Sequence, residues 1–392
     1  MDVSADQLAE GVAGLVRIPS VNPMQAGPRA EAAGPIGERA LAEHLAARFE
    51  RLGAEVVLEP VLDDRPNVYA TVPGRTDRLV VLDVHTDTVT VEHMTDPPFD
   101  GRIEDGCVWG RGALDTKASL GVILALLEAW HAAGARPDPT LLVVGSVSEE
   151  SGGLLGAVAF REWAEQRSLA IDQMIVAEPT RLAPIHGHKG GAVLRVTARG
   201  RAAHSATPER GANAIEAIAP VIAAVTAEHE RLQAIPPTTE LGPGTLSVTM
   251  IDGGTGGNVI PDSCSIVVSR RIVPGEDPTT VYDGLAELAS TACPLPVDVE
   301  SILPAQPDGS VASGAFYLPP DTPLVRDLAA WTGTEPTVAP FGTNALRYTG
   351  FVDQLAVFGP GSIDDAHAAT ESVAISDLER QAAAFTRWLA PA

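Results

Sequence analysis

Apolar residues along this chain follow two rhythms, and the switches between them mark its elements. Unbroken apolar runs occur at Leu79–Val84 (LVVLDV), Thr140–Val147 (TLLVVGSV), Gln173–Ala177 (QMIVA) and Gln354–Phe358 (QLAVF). Runs of this length, rich in β-branched residues, read as strands buried on both faces. Between them the spacing becomes helical. Ser4-Ala-Asp-Gln7 is a capping box opening a helix to about Val16. Ile36–Leu52 is amphipathic and stops at Gly53, and Thr116–Ala133 is rich in Leu and Ala and stops at Gly134. Further strands are expected near Glu55–Leu58 and Asn67–Thr71. Strand and helix in alternation predict an α/β domain with a mixed, mostly parallel sheet.

After Pro184 the order changes. Strand Ala192–Ala198, helix Ala212–Gln233, strands Thr245–Ile251 and Ser265–Ile272, helix Pro278–Thr291 and strand Pro296–Ser301 spell βαββαβ, a ferredoxin-like α+β unit. Pro304–Pro320, rich in Pro, Gly and Ser, reads as a return loop. A helix around Pro323–Trp331 then resumes the first pattern, and Ser376-Asp-Leu-Glu379 reads as a capping box opening the last helix. The expected organisation is one domain, 1–186 and 303–392, interrupted by a second, 187–302.

Composition narrows the partners. At 392 residues the chain exceeds what one core usually fills. The formal net charge of −24 argues against nucleic acid or an anionic membrane as partner and fits a small substrate. Cys107, Cys264 and Cys293 show no paired spacing and read as reduced, structural residues. The first residues carry acids and lack a basic, then apolar, leader, so a soluble cytoplasmic protein is expected.

The chemistry lies at the strand ends. His85-Thr-Asp87 follows the first apolar run, Glu149-Glu150 the second, Glu178 the third and His367 the fourth, while Asp115 directly precedes the Thr116–Ala133 helix. Each has a plain reading alone: Asp115 a helix cap, Glu149-Glu150 a solvated pair, Glu178 a loop acid, His367 a surface histidine. Ligands of open α/β sheets bind beyond the carboxyl ends of the strands, so these groups should converge at one edge. Mixed nitrogen and oxygen donors suit zinc, with cobalt or manganese as alternatives. Two ions need a bridging carboxylate. Asp115, central in chain order, is the natural choice. Of the adjacent glutamates, one can bind and the other can act as general base.

These residues resemble the M20 metallopeptidase and amidohydrolase family, near its deacetylase and desuccinylase members. The matching text is His85-Thr-Asp-Thr, Gly110-Arg-Gly-Ala-Leu-Asp-Thr-Lys, Ser148-Glu-Glu-Ser-Gly, Ala177-Glu-Pro-Thr and Gly359-Pro-Gly-Ser-Ile-Asp-Asp-Ala-His. The resemblance spans essentially the whole chain. It implies a zinc-exopeptidase-like catalytic domain with an inserted lid and dimerisation domain, acting as a homodimer. His85 and Glu178 would hold one ion, Glu150 and His367 the other, and Asp115 would bridge. Glu149 would be the base, Asp87 would orient His85, and the Asp115–Thr116 peptide would be cis. Ala118 departs from the family's usual Gly.

Ala203-His204-Ser-Ala-Thr-Pro resembles the family's lid motif, whose histidine stabilises the oxyanion in the opposite subunit's site. Asn258 and Arg271 resemble the groups that hold the substrate carboxylate, with Arg270 as an alternative, because Ser269 replaces the usual acid. Thr343 resembles a pocket-lining residue. His186-Gly-His188 could hold zinc or serve a structural or pocket role, with His188 and Lys189 facing substrate. The implied activity is hydrolysis of an N-acyl amino acid amide. A dipeptidase or carboxypeptidase, or a non-catalytic binding protein on the same scaffold, stays open beside it.

Overall fold

The computed structural model describes residues 3–150, 153–303, 305 and 309–390. Part of the Pro304–Pro320 return loop, and Ser151 and Gly152 of the Glu149-Glu150 motif, lie outside the described residues. The chain divides into two compact units. The first comprises Met1–His186, Leu318–Thr337 and Thr343–Ala392, and the second Gly187–Tyr317 with Val338–Gly342. The expected return at 303 therefore differs from the structure. Ala312–Ser313 pairs with Ala192 and Gly191, and Phe316–Tyr317 with His188 and Gly187, which keeps the segment after 303 with the second unit.

In the first unit the strands run in the order Glu55–Leu62, Arg65–Val72, Thr140–Ser146, Leu79–His85, Gln173–Val176 and Leu355–Val357. The first two pairings are antiparallel. Thr140–Ser146, Leu79–His85, Gln173–Val176 and Leu355–Val357 are parallel neighbours. Their unbroken apolar runs are explained by covering on both faces. Val80, Leu82 and Val84 join a core with the helices Ala5–Val16, Lys117–Ala132 and Ile375–Leu389. On the other side Tyr69 meets Phe160 with ring centroids 5.5 Å apart, and Phe160 meets Tyr348 at 5.9 Å.

The capping box at Ser4 forms as read, Ser4 accepting from Gln7 N while the Gln7 side chain accepts from Ser4 N. That at Ser376 does not. Strand Ser372–Ala374 pairs with Cys107–Trp109 and runs directly into a helix beginning at Ile375, whose amide donates to the Gly106 carbonyl. Ser376 is thus already inside the helix. The second amphipathic helix starts at Arg39, three residues later than expected at Ile36.

The second unit is built on an antiparallel sheet with four strands in the order Thr245–Gly253, Ser263–Ile272, Gly190–Arg199, Val297–Ser301, and the short Ala312–Ser313 as a fifth beside Gly190–Arg199. Helices Ala214–Gln233 and Pro278–Ala292 cover one face, with Ile218, Val221, Val225 and Leu285 against Leu194, Val196, Ile266 and Val268. Alternating burial along Gly190–Arg199 records that one-sided covering. This is the ferredoxin-like order expected from βαββαβ.

Helices Ala5–Val16 and Lys117–Ala132 approach closely at Gly121, where a Cβ would lie 2.8 Å from Val12 N and 2.5 Å from Val12 Cγ2. Alanine there gains roughly 1 kcal/mol of helix propensity, but the backbone contact outweighs it. Gly121→Ala should lower unfolding stability by about 1–3 kcal/mol through overpacking, read as a shifted denaturant midpoint. An unchanged midpoint would show that the two helices can move apart freely.

Candidate metal centre

Parallel strands place their carboxyl ends together, and the first unit uses four of them. His85 ends the strand Leu79–His85. Glu149 and Glu150 follow Thr140–Ser146, Glu178 follows Gln173–Val176, and His367 lies beyond Leu355–Val357. Ser148 and His367 have φ of 64° and 60°. Such left-handed conformations are uncommon outside glycine and gather where surrounding structure enforces them. Asp115 sits in the turn before Lys117–Ala132, and its peptide bond to Thr116 is cis. Gly359 allows the last strand end to meet Glu178, since a Cβ there would lie 2.5 Å from the Glu178 carbonyl oxygen.

The donor atoms of His85, Asp115 and Glu178 all lie within 4.8 Å of one another, and so do those of Asp115, Glu150 and His367. Asp115 belongs to both groups. Its Oδ1 is 2.9 Å from His85 Nε2, and its Oδ2 is 3.2 Å from His367 Nε2. His367 Nε2 also lies 3.0 Å from Glu150 Oε2. One carboxylate therefore turns each oxygen to a different histidine, with a glutamate completing each side.

Acids dominate the patch. Burial, and then the fields of neighbouring carboxylates, raise Glu149 to about 8 and Glu150 to about 7, and lift Glu178 well above the usual carboxylate range. The strongest charged influences on these three are one another, Asp115, Asp87 and the two histidines, with no lysine or arginine among them. Asp115 moves the other way. Burial opposes its ionisation, but hydrogen bonds to His367 and His85 outweigh it. Hydrogen bonds to Asp115 and Glu150 hold His367 at about 10. Burial disfavours a charged His85, yet its hydrogen bond to Asp115 and the surrounding acids raise it. A compact set of carboxylates and imidazoles, short of positive charge, is a donor set that fits two divalent cations.

The backbone amides carry much of the support. The Asp87 carboxylate accepts from Glu149 N at 3.0 Å, Glu150 N at 3.1 Å and Asn22 Nδ2 at 2.7 Å. His85 Nδ1 lies 2.9 Å from the Asp87 carbonyl oxygen and 3.7 Å from its carboxylate. Gln25 Nε2 donates to the Glu150 carbonyl. Buried Asp83, two residues before His85, accepts from Ser146 Oγ, Asn344 Nδ2 and Tyr348 OH. Burial raises Asp83 to about 6 against the pull of those donors. Asn344 thereby fixes neighbouring Thr343, which is buried and accepts from Ala345 N. Asn22 and Asp83 escaped the sequence reading, because nothing in their local pattern marks them.

The remaining candidates belong to the second unit, apart from His186, whose Nδ1 lies 2.7 Å from the Leu318 carbonyl. His188 is buried beside Phe316, and burial lowers it to about 4. Neither histidine is in a metal-donor group among the described residues. Arg270 is buried and paired with Glu276, whereas Arg271 is exposed. Arg271 and Lys189 line a cavity of about 370 Å3 together with Glu240, Leu241, Thr245 and Pro340. His204 is exposed, and its Nδ1 accepts from Ala206 N at 3.0 Å. The Asn258 carbonyl accepts from Ser205 N, tying Asn258 to the same turn.

Among known proteins, the profile of peptidase family M20/M25/M40 matches residues 81–390. An acetylornithine deacetylase of Myxococcus xanthus is 32% identical over 366 residues, covering 89% of this chain and 91% of its own. A succinyl-diaminopimelate desuccinylase of Methylorubrum extorquens is 30% identical, with 96% of each chain covered. The crystal structure of the M20 family metallo-carboxypeptidase Sso-CP2 from Sulfolobus solfataricus superposes with a TM-score of 0.77 at 17% identity, covering 98% of both chains. The strand-end acids and histidines thus stand in a chain that belongs to the M20/M25/M40 peptidase family, a metal-dependent amidohydrolase.

Proposed function

We propose that this chain hydrolyses the amide bond of an N-acyl amino acid, using two divalent ions, zinc foremost. His85, Asp115 and Glu178 would hold one, and Asp115, Glu150 and His367 the other. The observation that carries this reading is the division of the Asp115 oxygens between His85 and His367. When bound, such an ion pair lowers the pKa of water and polarises the acyl oxygen. Glu149 takes the water's proton and passes it to the leaving amine. Its carboxylate accepts no hydrogen bond from a described residue, while its amide is held by Asp87, so the base is fixed at its backbone and free at its oxygens.

Residues of the second unit recognise the substrate. Arg271 and Lys189 supply positive charge to the cavity they line, which suits a carboxylate. Arg270 is removed from that role by Glu276. His188 and Asn258 are further candidates in this unit, and Thr343 is a candidate in the first. Accepting a backbone N–H at Nδ1 makes neutral His204 carry its proton on Nε2, the tautomer an oxyanion donor needs. Its exposure suits service in a partner subunit's site. The edge strand Thr245–Gly253, with Met250 63% and Ile251 59% exposed, offers the surface for a homodimer.

Relatives named for removing acetyl and succinyl groups favour a deacylase. The family's peptidases keep a dipeptidase or carboxypeptidase as the second reading. A panel of N-acetyl, N-formyl and N-succinyl amino acids beside dipeptides separates them by product. A bare binding protein would turn over none.

Glu149→Ala should keep both ions but lose about 10²–10⁴-fold in kcat. A variant retaining a tenth of wild-type kcat would remove Glu149 from the role of base. Asp115→Ala should lose bound metal, and elemental analysis finding two ions per chain would rule out the bridge.

Two inactive variants, His204→Ala and Glu149→Ala, should complement after subunit exchange. Half of the dimers are then mixed, and each mixed dimer has one intact site of two, so recovery approaches roughly a quarter of wild-type activity. No recovery after verified exchange places His204 outside the partner's site.

A further inference from the structure

Asp115 is gripped at its backbone as well as at its side chain. Glu371 Oε1 accepts from Leu114 N at 3.1 Å and from Asp115 N at 3.2 Å. The other Glu371 oxygen pairs with the Arg111 guanidinium, whose Nη2 donates to the Ala368 carbonyl at 3.2 Å. The Gly110 amide donates to the Glu371 carbonyl at 2.9 Å. Glu371 is 1% exposed and Arg111 2%. Arg111 lies four residues before Asp115, and Glu371 four residues after His367. One buried ion pair therefore joins the turn that presents Asp115 to the loop that presents His367.

We infer that Glu371, through Arg111 and the Leu114 and Asp115 amides, is a positioning residue that fixes Asp115 relative to His367 for metal binding. This rests on the proposed reading that Asp115 and His367 hold ions. Neither Glu371 nor Arg111 belongs to the two donor groups, so both act through the residues they hold. The Asp115 side chain can meet His85 and His367 at once only if its main chain is held in place, and Glu371 is the described side chain that holds the Asp115 amide. His367 has φ of 60°, uncommon for a residue other than glycine, and the Arg111 bond to Ala368 ties down the residue that follows it. Partners that orient ligands typically change metal affinity by about 10–100-fold when removed.

The test uses the full chain with E371Q, E371A and R111K variants. Each is stripped with chelator and titrated with Zn²⁺ against a chromophoric competitor, at a temperature where circular dichroism shows it folded. Metal-free thermal unfolding and kcat and KM on the best amide substrate are measured alongside. The expected result is about 10–100-fold weaker Zn²⁺ binding for E371Q, a smaller loss for R111K, and a fall in kcat larger than any change in KM. Glutamine retains the shape of the side chain, so E371Q and R111K carry the test if E371A does not fold. Folded E371Q that is less heat-stable yet binds two ions with wild-type affinity overturns the inference and leaves the pair a structural brace. A wild-type chain that takes up no ions overturns the metal reading itself, a different outcome read from the unmodified protein.

Discussion

Mutual repulsion among buried carboxylates is the constraint on which this site depends. Asp115, Glu149, Glu150 and Glu178 converge where burial alone already disfavours each charge. The protein answers with geometry. Asp115 faces histidines on both sides, and two further acids, Asp87 and Glu371, are turned outward to accept main-chain amides. Backbone N–H bonds hold both carboxylates in place, and Arg111 pairs with Glu371 besides. The same acids that supply the negative field thus pin the loops that bear it.

That arrangement presupposes the sheet. Four parallel strands lie side by side, so residues that follow them arrive at one edge without long excursions. Close approach at the last strand end requires a missing side chain, and Gly359 provides it against the Glu178 carbonyl. Behind the edge, Asp83, Ser146, Asn344 and Tyr348 knit two of those strands to the Thr343 segment through buried hydrogen bonds. Asn344 Nδ2 reaches both Asp83 and Ser146, and a buried network of this kind holds the residues it joins in place.

Much of this was legible in the sequence because burial on both faces leaves a plain record. The four unbroken apolar runs named the four central strands, and the acids and histidines after them named the edge. βαββαβ was equally plain, since each of its elements spans a full amphipathic period. What the sequence hid was direction and distant pairing. His85-Thr-Asp87 alternates as a strand should, but Asp87 turns its carboxylate to the Glu149 and Glu150 amides. Arg270 and Arg271 are adjacent, and nothing local decides which is buried with Glu276. Arg111 and Glu371 lie 260 positions apart, beyond any periodicity. Ser376 carried a sound capping pattern that lost to a strand pairing its neighbours with Cys107–Trp109. The return from the second unit was misjudged because short pairings at Ala312–Ser313 and Phe316–Tyr317 have no sequence signature of their own.

The order in which the chain is synthesised gives that topology a further meaning. Strand Leu355–Val357 pairs with Gln173–Val176, yet the whole second unit is made between them. His367 and Glu371 therefore leave the ribosome after every other acid and histidine of the edge. A nascent or truncated chain carries the crowded carboxylates without the imidazole and amide grip that complete them. Assembly of the edge is thereby coupled to synthesis of the chain through Glu371, so that the edge closes only when the segment from Leu355 to Glu371 has docked.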